Sequence, residues 1–191
     1  MRADYRVFLD ACVLANYGVC NLLLRLGERS RLILPRWSGE VLAEVHRTHT
    51  ERLGWPSDLA ASFQAEIRRA FPDAEVSGYE ALVPQMTNDP KDRHVLAAAI
   101  RGDCPLILTF NRKHLPALSL SPWGVKTSHP QDYLIVLYEM EPKVLVAVLG
   151  EIAGQRQIEI EDVLIRLGKV PPSFSQRILD SLGGQQRAPL I

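Results

Sequence analysis

Short apolar runs alternate with segments of helical length along the first two thirds of the chain, and this alternation limits the folds open to it. Tyr5-Arg-Val-Phe-Leu9 is rich in branched and aromatic residues and reads as a buried strand. From Ala11 to Gly27 the apolar positions Val13, Leu14, Tyr17, Leu22, Leu23 and Leu26 follow helical spacing, with Gly27 as a stop. Leu32-Ile-Leu34 leads into Pro35, and Ser38 is placed to cap a helix reaching about Thr48. Pro56 opens another helix to about Phe71, and Ala74-Glu-Val76 reads as a short strand. Asp89-Pro90 starts a helix that stops at Gly102. Pro105–Phe110 and Gly124–Thr127 supply the remaining strands. Strands separated by helices of this length predict a parallel sheet with helices on both faces.

After Pro130 the strand signals cease. Tyr133–Met140, Val144–Ile152, Ile160–Leu167 and Phe174–Leu182 read as helices set apart by Pro142, Gly154 and Pro171-Pro172, with Gly183-Gly184 as the final stop. The expected organisation is an α/β domain over 1–128 and a helical C-terminal extension over 129–191.

Charge and cysteine content exclude some functions. Twenty-two Lys and Arg balance 22 Asp and Glu, so no global field draws the chain to nucleic acid, and a basic groove needs local clustering of residues such as Arg47, Arg52, Lys91 and Arg93. Asp4, Arg6 and Asp10 interrupt the apolar region that a signal peptide needs, and no run suffices to span a bilayer. The expected compartment is the cytoplasm. Cys12, Cys20 and Cys104 suit it, as free thiols in no metal-binding spacing. His46 and His49 have a spacing that zinc accepts, but no further ligands accompany them.

Three acids stand where apolar residues are expected. Asp10 ends the first strand, at the carboxyl edge where open parallel sheets carry their functional crevice. On a helix starting near Trp37, Glu44 falls beside the apolar stripe of Trp37, Val41 and Val45. On the helix starting at Pro90, Asp92 falls within the face made by Val95, Leu96 and Ala99, while His94 points outward. Buried carboxylates are neutralised, paired or bound to metal. Singly, each has another explanation: Asp10 as a cap, Asp92 facing a helix dipole, Glu44 paired with an arginine. Jointly they fit a hard-cation site for Mg²⁺ or Mn²⁺.

Four segments carry a family resemblance. Phe8-Leu-Asp10-Ala-Cys-Val-Leu14, Leu34-Pro-Arg-Trp-Ser38 with Glu40-Val-Leu-Ala-Glu44, Asp89-Pro-Lys-Asp92-Arg-His-Val-Leu-Ala97 and Leu108-Thr-Phe-Asn111-Arg-Lys-His-Leu-Pro116 resemble, in order, the motifs of PIN domains. The likeness runs over roughly residues 5 to 136 and is nearest to VapC-type toxins. It implies a three-layer α/β/α sandwich and metal-dependent hydrolysis of RNA, tRNA or other structured RNA included. Asp10, Glu44 and Asp92 are the implied metal ligands and catalytic acids, with Asn111 at the fourth position. Asp89, Thr109 and Arg93 are secondary candidates, Asp89 serving either as a helix cap or as a substitute acid. Many PIN domains have Asp where Asn111 stands, which leaves one metal firmly expected rather than two. The resemblance also implies a cognate antitoxin and a homodimer. The alternative is a PIN fold kept as a binding module for RNA or a protein, with its nuclease activity weak or lost.

Overall fold

A computed structural model describes residues 5–167 and 172–185. The chain divides into two compact units, Met1–His129 and Pro130–Ile191. The first unit is built on five parallel strands: β1 (Arg6–Leu9), β2 (Leu34–Ser38), β3 (Glu75–Val76), β4 (Leu106–Leu108) and β5 (Lys126–Ser128), in the order β3-β2-β1-β4-β5. Val7, Phe8, Leu9, Ile107 and Leu108 have no exposed surface, as expected of strands covered on both faces.

Between β1 and β2 come α1 (Ala11–Leu14) and α2 (Tyr17–Ser30). Between β2 and β3 come α3 (Gly39–Arg47), a π turn over Thr48–Arg52, and α4 (Ser57–Ala70). The chain then crosses over. Two 3-10 turns, Glu80–Gln85 and Pro90–Asp92, lead into α5 (Arg93–Arg101) before β4. A 3-10 turn at Arg112–His114, α6 (Ala117–Leu120) and a turn at Ser121–Trp123 precede β5. The first two connections step one way along the sheet and the last two step the other. Right-handed crossovers therefore put α1–α4 on one face and α5 and α6 on the other, which is the expected three-layer sandwich. The order reverses between β1 and β4, and the crevice at such a switch point opens beyond the strand ends.

Several local expectations shift. Trp37 lies in β2, and α3 begins only at Gly39, with Ser38 Oγ accepting from Val41 N at 3.2 Å. Pro35 sits inside β2 because alternate amides of the strand face opposite neighbours. Leu34 N reaches Tyr5 O of the β1 side and Trp37 N reaches Ala74 O of the β3 side. The Pro35 nitrogen thus points to the β3 side, below where β3 pairs with Trp37 and Ser38, and no ladder bond is lost. Gly27 is interior to α2, which continues to Ser30 and ends with Arg31 in the left-handed region. A Cβ at Gly27 would come within 3.3 Å of Ile33 O, so close packing rather than helix termination accounts for that glycine.

The second unit contains α7 (Pro130–Met140), α8 (Pro142–Arg156), α9 (Ile160–Arg166) and α10 (Pro172–Gln185). Leu134, Leu137, Leu145, Leu149, Ile152, Leu164, Phe174 and Ile178 are among its buried residues. Gly154 does not end α8, which closes with Gln157 in the left-handed region, and Gly183-Gly184 fall inside α10. Among the described residues no helix is long and apolar enough to cross a membrane.

Candidate active site

Asp10 and Thr109 face each other across the paired ends of β1 and β4, where Leu9 is in register with Leu108 and Asp10 N donates to Leu108 O. The fully buried Thr109 hydroxyl donates to Asp10 Oδ2 at 2.6 Å, and the Cys12 thiol donates to the same oxygen at 3.1 Å. Asp10 Oδ1 accepts from Ala11 N at 2.7 Å, so the carboxylate also caps α1. The capping and site readings of Asp10 are compatible, because each uses a different oxygen. Cys12 Sγ in turn accepts from Phe110 N at 3.3 Å, which ties the two strand ends together. Burial, then the adjacent Asp10, pushes the Cys12 thiol up to about 12, so it stays protonated as a donor.

Asp92 enters the same crevice from the opposite connection, at the end of the Pro90–Asp92 turn that precedes α5. Burial raises its pKa above the ordinary carboxylate value, and the charges of Asp10 and Asp89 raise it further, while His114 opposes them. Mutual repulsion of this kind requires Asp10 and Asp92 to lie near one another. Among the described residues neither carboxylate has a Lys or Arg partner. Asp89 accepts from Lys91 N at 3.0 Å and acts as the turn's cap, with its other oxygen 4.0 Å from His114.

Glu44 is engaged differently from the other two acids. Its carboxylate lies 3.3 Å from His94 Nε2 and 4.0 Å from Arg47, and the side chain is 30% exposed. His94 does not point outward. It is 6% exposed and lies between Glu44 and Glu40, with Nδ1 3.7 Å from the Glu40 carboxylate. Burial disfavours its charge, yet Glu44, Glu40 and Asp92 together raise its pKa. The helical wheel misplaced it because Pro90–Asp92 is a 3-10 turn, and the α-helical phase begins only at Arg93.

Asn111 is half-buried, and its side-chain amide lies 2.8 Å from His114 Nδ1. The same nitrogen lies 2.8 Å from Asp92 Oδ2. His114, within the fourth motif but given no role from sequence, is thus the residue that joins Asp92 to Asn111. The signal for it was its position three after Asn111 in a turn, too short a period to stand out. Arg93 donates to Asn88 O at 3.3 Å and braces that loop. His49, which sequence spacing paired with His46 for zinc, is fully buried and stacks on Trp55 with ring centroids 4.0 Å apart.

The structure therefore gathers Asp10, Asp92, Thr109, Asn111 and His114, and sets Glu44 beside His94. No three His, Cys, Asp or Glu side chains among the described residues are arranged to enclose a metal ion. Two converging carboxylates that no described Lys or Arg pairs with still fit Mg²⁺ or Mn²⁺, since Mg²⁺ is commonly held by one or two carboxylates and otherwise by water.

No family model matches the chain, and no solved structure matches it. Among curated proteins it is similar to one from Mycobacterium tuberculosis (strain ATCC 25618 / H37Rv) named "Putative ribonuclease VapC50". The two are 35% identical over 135 residues, which is 69% of this chain and 78% of that protein. With a parallel five-stranded sheet and two acids at its switch point, the chain belongs to the VapC-type PIN-domain ribonucleases.

Proposed function

We propose that this chain is a metal-dependent endoribonuclease and the toxin of a toxin–antitoxin pair. The observation that carries the proposal is the meeting of the Asp10 and Asp92 carboxylates, half-buried and unneutralised by any Lys or Arg among the described residues, at the reversal of strand order. Asp10 and Asp92 would hold Mg²⁺ or Mn²⁺, and Glu44 is the third acid available to it. When bound, such an ion supplies positive charge to the scissile phosphate and makes water a better nucleophile.

The chain's own residues set up that chemistry. Thr109, Cys12 and the Ala11 amide fix the Asp10 carboxylate by three hydrogen bonds, so little reorganisation remains when charge develops. Asn111 lies where its side-chain amide can orient water or the backbone phosphate, while the buried Thr109 hydroxyl serves to hold Asp10 and accepts from Asn111 N at 2.9 Å. Lys91, Arg112 and Lys113 are exposed and adjoin the site in sequence, placing positive charge where an RNA backbone would pass. We further propose that the nuclease fold proper ends near residue 128, that the helices of 129–191 extend it, and that the protein acts in the cytoplasm as a homodimer restrained by a small antitoxin.

The test is cleavage of structured RNA by the full chain in Mg²⁺ or Mn²⁺. Asp10→Ala and Asp92→Ala are each expected to lower kcat by at least about a hundredfold, and chelation of the metal to abolish cleavage. Cleavage by both variants at the parent's rate would overturn the proposal. The alternative is a binding module whose nuclease activity is weak or lost, for which the amide at Asn111 and the zero net charge speak. Calorimetry with Mn²⁺ separates the two, because a module needs no carboxylate-dependent binding.

A further inference from the structure

His114 is the least explained residue of the site. Its ring joins two connections that are far apart in sequence, the turn after β4 and the turn before α5. Nδ1 is 2.8 Å from Asp92 Oδ2, 2.8 Å from the Asn111 amide and 4.0 Å from Asp89 Oδ2. The ring is not needed to dock these turns. The His114 carbonyl already does so, accepting from Asp89 N at 3.2 Å and from the Asn88 side-chain Nδ2 at 3.5 Å. What the ring adds is direction.

We propose that His114 is a positioning residue that aims the Asp92 carboxylate and the Asn111 amide through a single proton on Nδ1. A ring nitrogen can offer Asp92 a proton or Asn111 a lone pair, but not both. The charged acceptor takes the proton, because a hydrogen bond to a carboxylate is about twice as strong as one to a neutral group. The Asn111 amide, whose Nδ2 faces the ring at 2.8 Å, must then be flipped so that its oxygen meets the same N–H. His114 is thereby locked as the Nδ1–H tautomer, with Asp92 Oδ2 committed to the ring and Oδ1 left for the crevice. The same bond accounts for an amide at position 111. An aspartate there would compete with Asp92 for the one proton, whereas asparagine shares it without adding charge.

This inference rests on the ribonuclease reading only for its kinetic half. The first measurement uses the metal-free full chain, labelled with ¹⁵N, in a long-range proton–nitrogen spectrum at about pH 9, where a histidine's tautomer is set by its hydrogen bonds. The His114 signals are assigned by their loss in His114→Asn. A protonated Nδ1 and bare Nε2 are expected, and an Nε2–H ring would overturn the proposal. The second is Mn²⁺-dependent RNA cleavage. His114→Ala is expected to lower kcat about 10- to 100-fold, the usual cost of losing a group that orients a metal ligand, with little change in KM. His114→Asn, which keeps a donor near Nδ1, should recover most of that loss. Unchanged kcat in His114→Ala, or no recovery in His114→Asn, would also overturn it. If the parent itself fails to cut RNA, the ribonuclease reading falls, and the tautomer still decides the role of His114.

Discussion

Asp92 shows what a half-buried acid costs the protein that keeps it. Burial, Asp10 and Asp89 raise its pKa above the ordinary carboxylate value of 3.8. A raised folded-state pKa means that the native chain binds the proton more tightly than the unfolded one. The stabilisation this gives is complete below pH 3.8 and is lost as pH rises through the folded value. At neutral pH the ionised group therefore opposes folding, and Asp92→Asn should melt a few degrees above the parent when both are metal-free. The gap should close as pH falls toward 4, near the ordinary Asp value. Scanning calorimetry across that range checks it, and a lower melting temperature for the variant at neutral pH would refute it. The placement of most of the candidate site was legible residue by residue: Asp10, Asp92, Thr109 and Asn111 lie at the strand ends and turns where motif order put them. His114 and His94 were not, because their roles depend on which ring faces which carboxylate, and spacing along one element cannot encode a contact between two.

Helix starts and strand ends illustrate how local chemistry constrains an element more than its apolar pattern does. Ser38 was readable as a cap, and the structure shows it fully buried, with its hydroxyl accepting from Val41 N. Ser38→Ala should cost about 1 kcal/mol, the usual value of an N-cap. In a chain of this length that lowers Tm by roughly 2–4 °C, measurable by thermal denaturation, and an unchanged Tm would show that the cap is redundant. Because α3 carries Glu40 and Glu44 to His94, its first turn also determines how well that triad is held. The boundaries that sequence placed wrongly have physical causes. Trp37 looked helical by its spacing to Val41, but the pairing of β2 with β3 holds it extended. Gly27 looked like a stop, although its missing side chain serves the close approach of Ile33.

At the scale of the whole molecule, the parallel sandwich was legible because apolar runs and helical segments alternate with little ambiguity, while the switch point required the strand order itself. The zero net charge persists as a property of the fold. RNA attraction must then come from a few residues near the crevice, such as Lys91, Arg112 and Lys113. If two or three phosphates are neutralised, raising salt from 50 to 200 mM should weaken RNA binding only about 7- to 20-fold. A loss nearer a thousandfold, measured by fluorescence anisotropy with an uncleavable RNA, would point to a broad basic track instead. The bond from Thr109 to Asp10 spans 99 positions of the chain. At a synthesis rate of about 5–20 residues per second, roughly 5–20 s separate the making of these two residues on the ribosome. Throughout that interval Asp10 lacks the hydroxyl that fixes it, and for most of it the acid that faces it as well. A nuclease assembled this way is unarmed while it is being born, and gains its cutting edge only after its own messenger has been read past the strand that completes it.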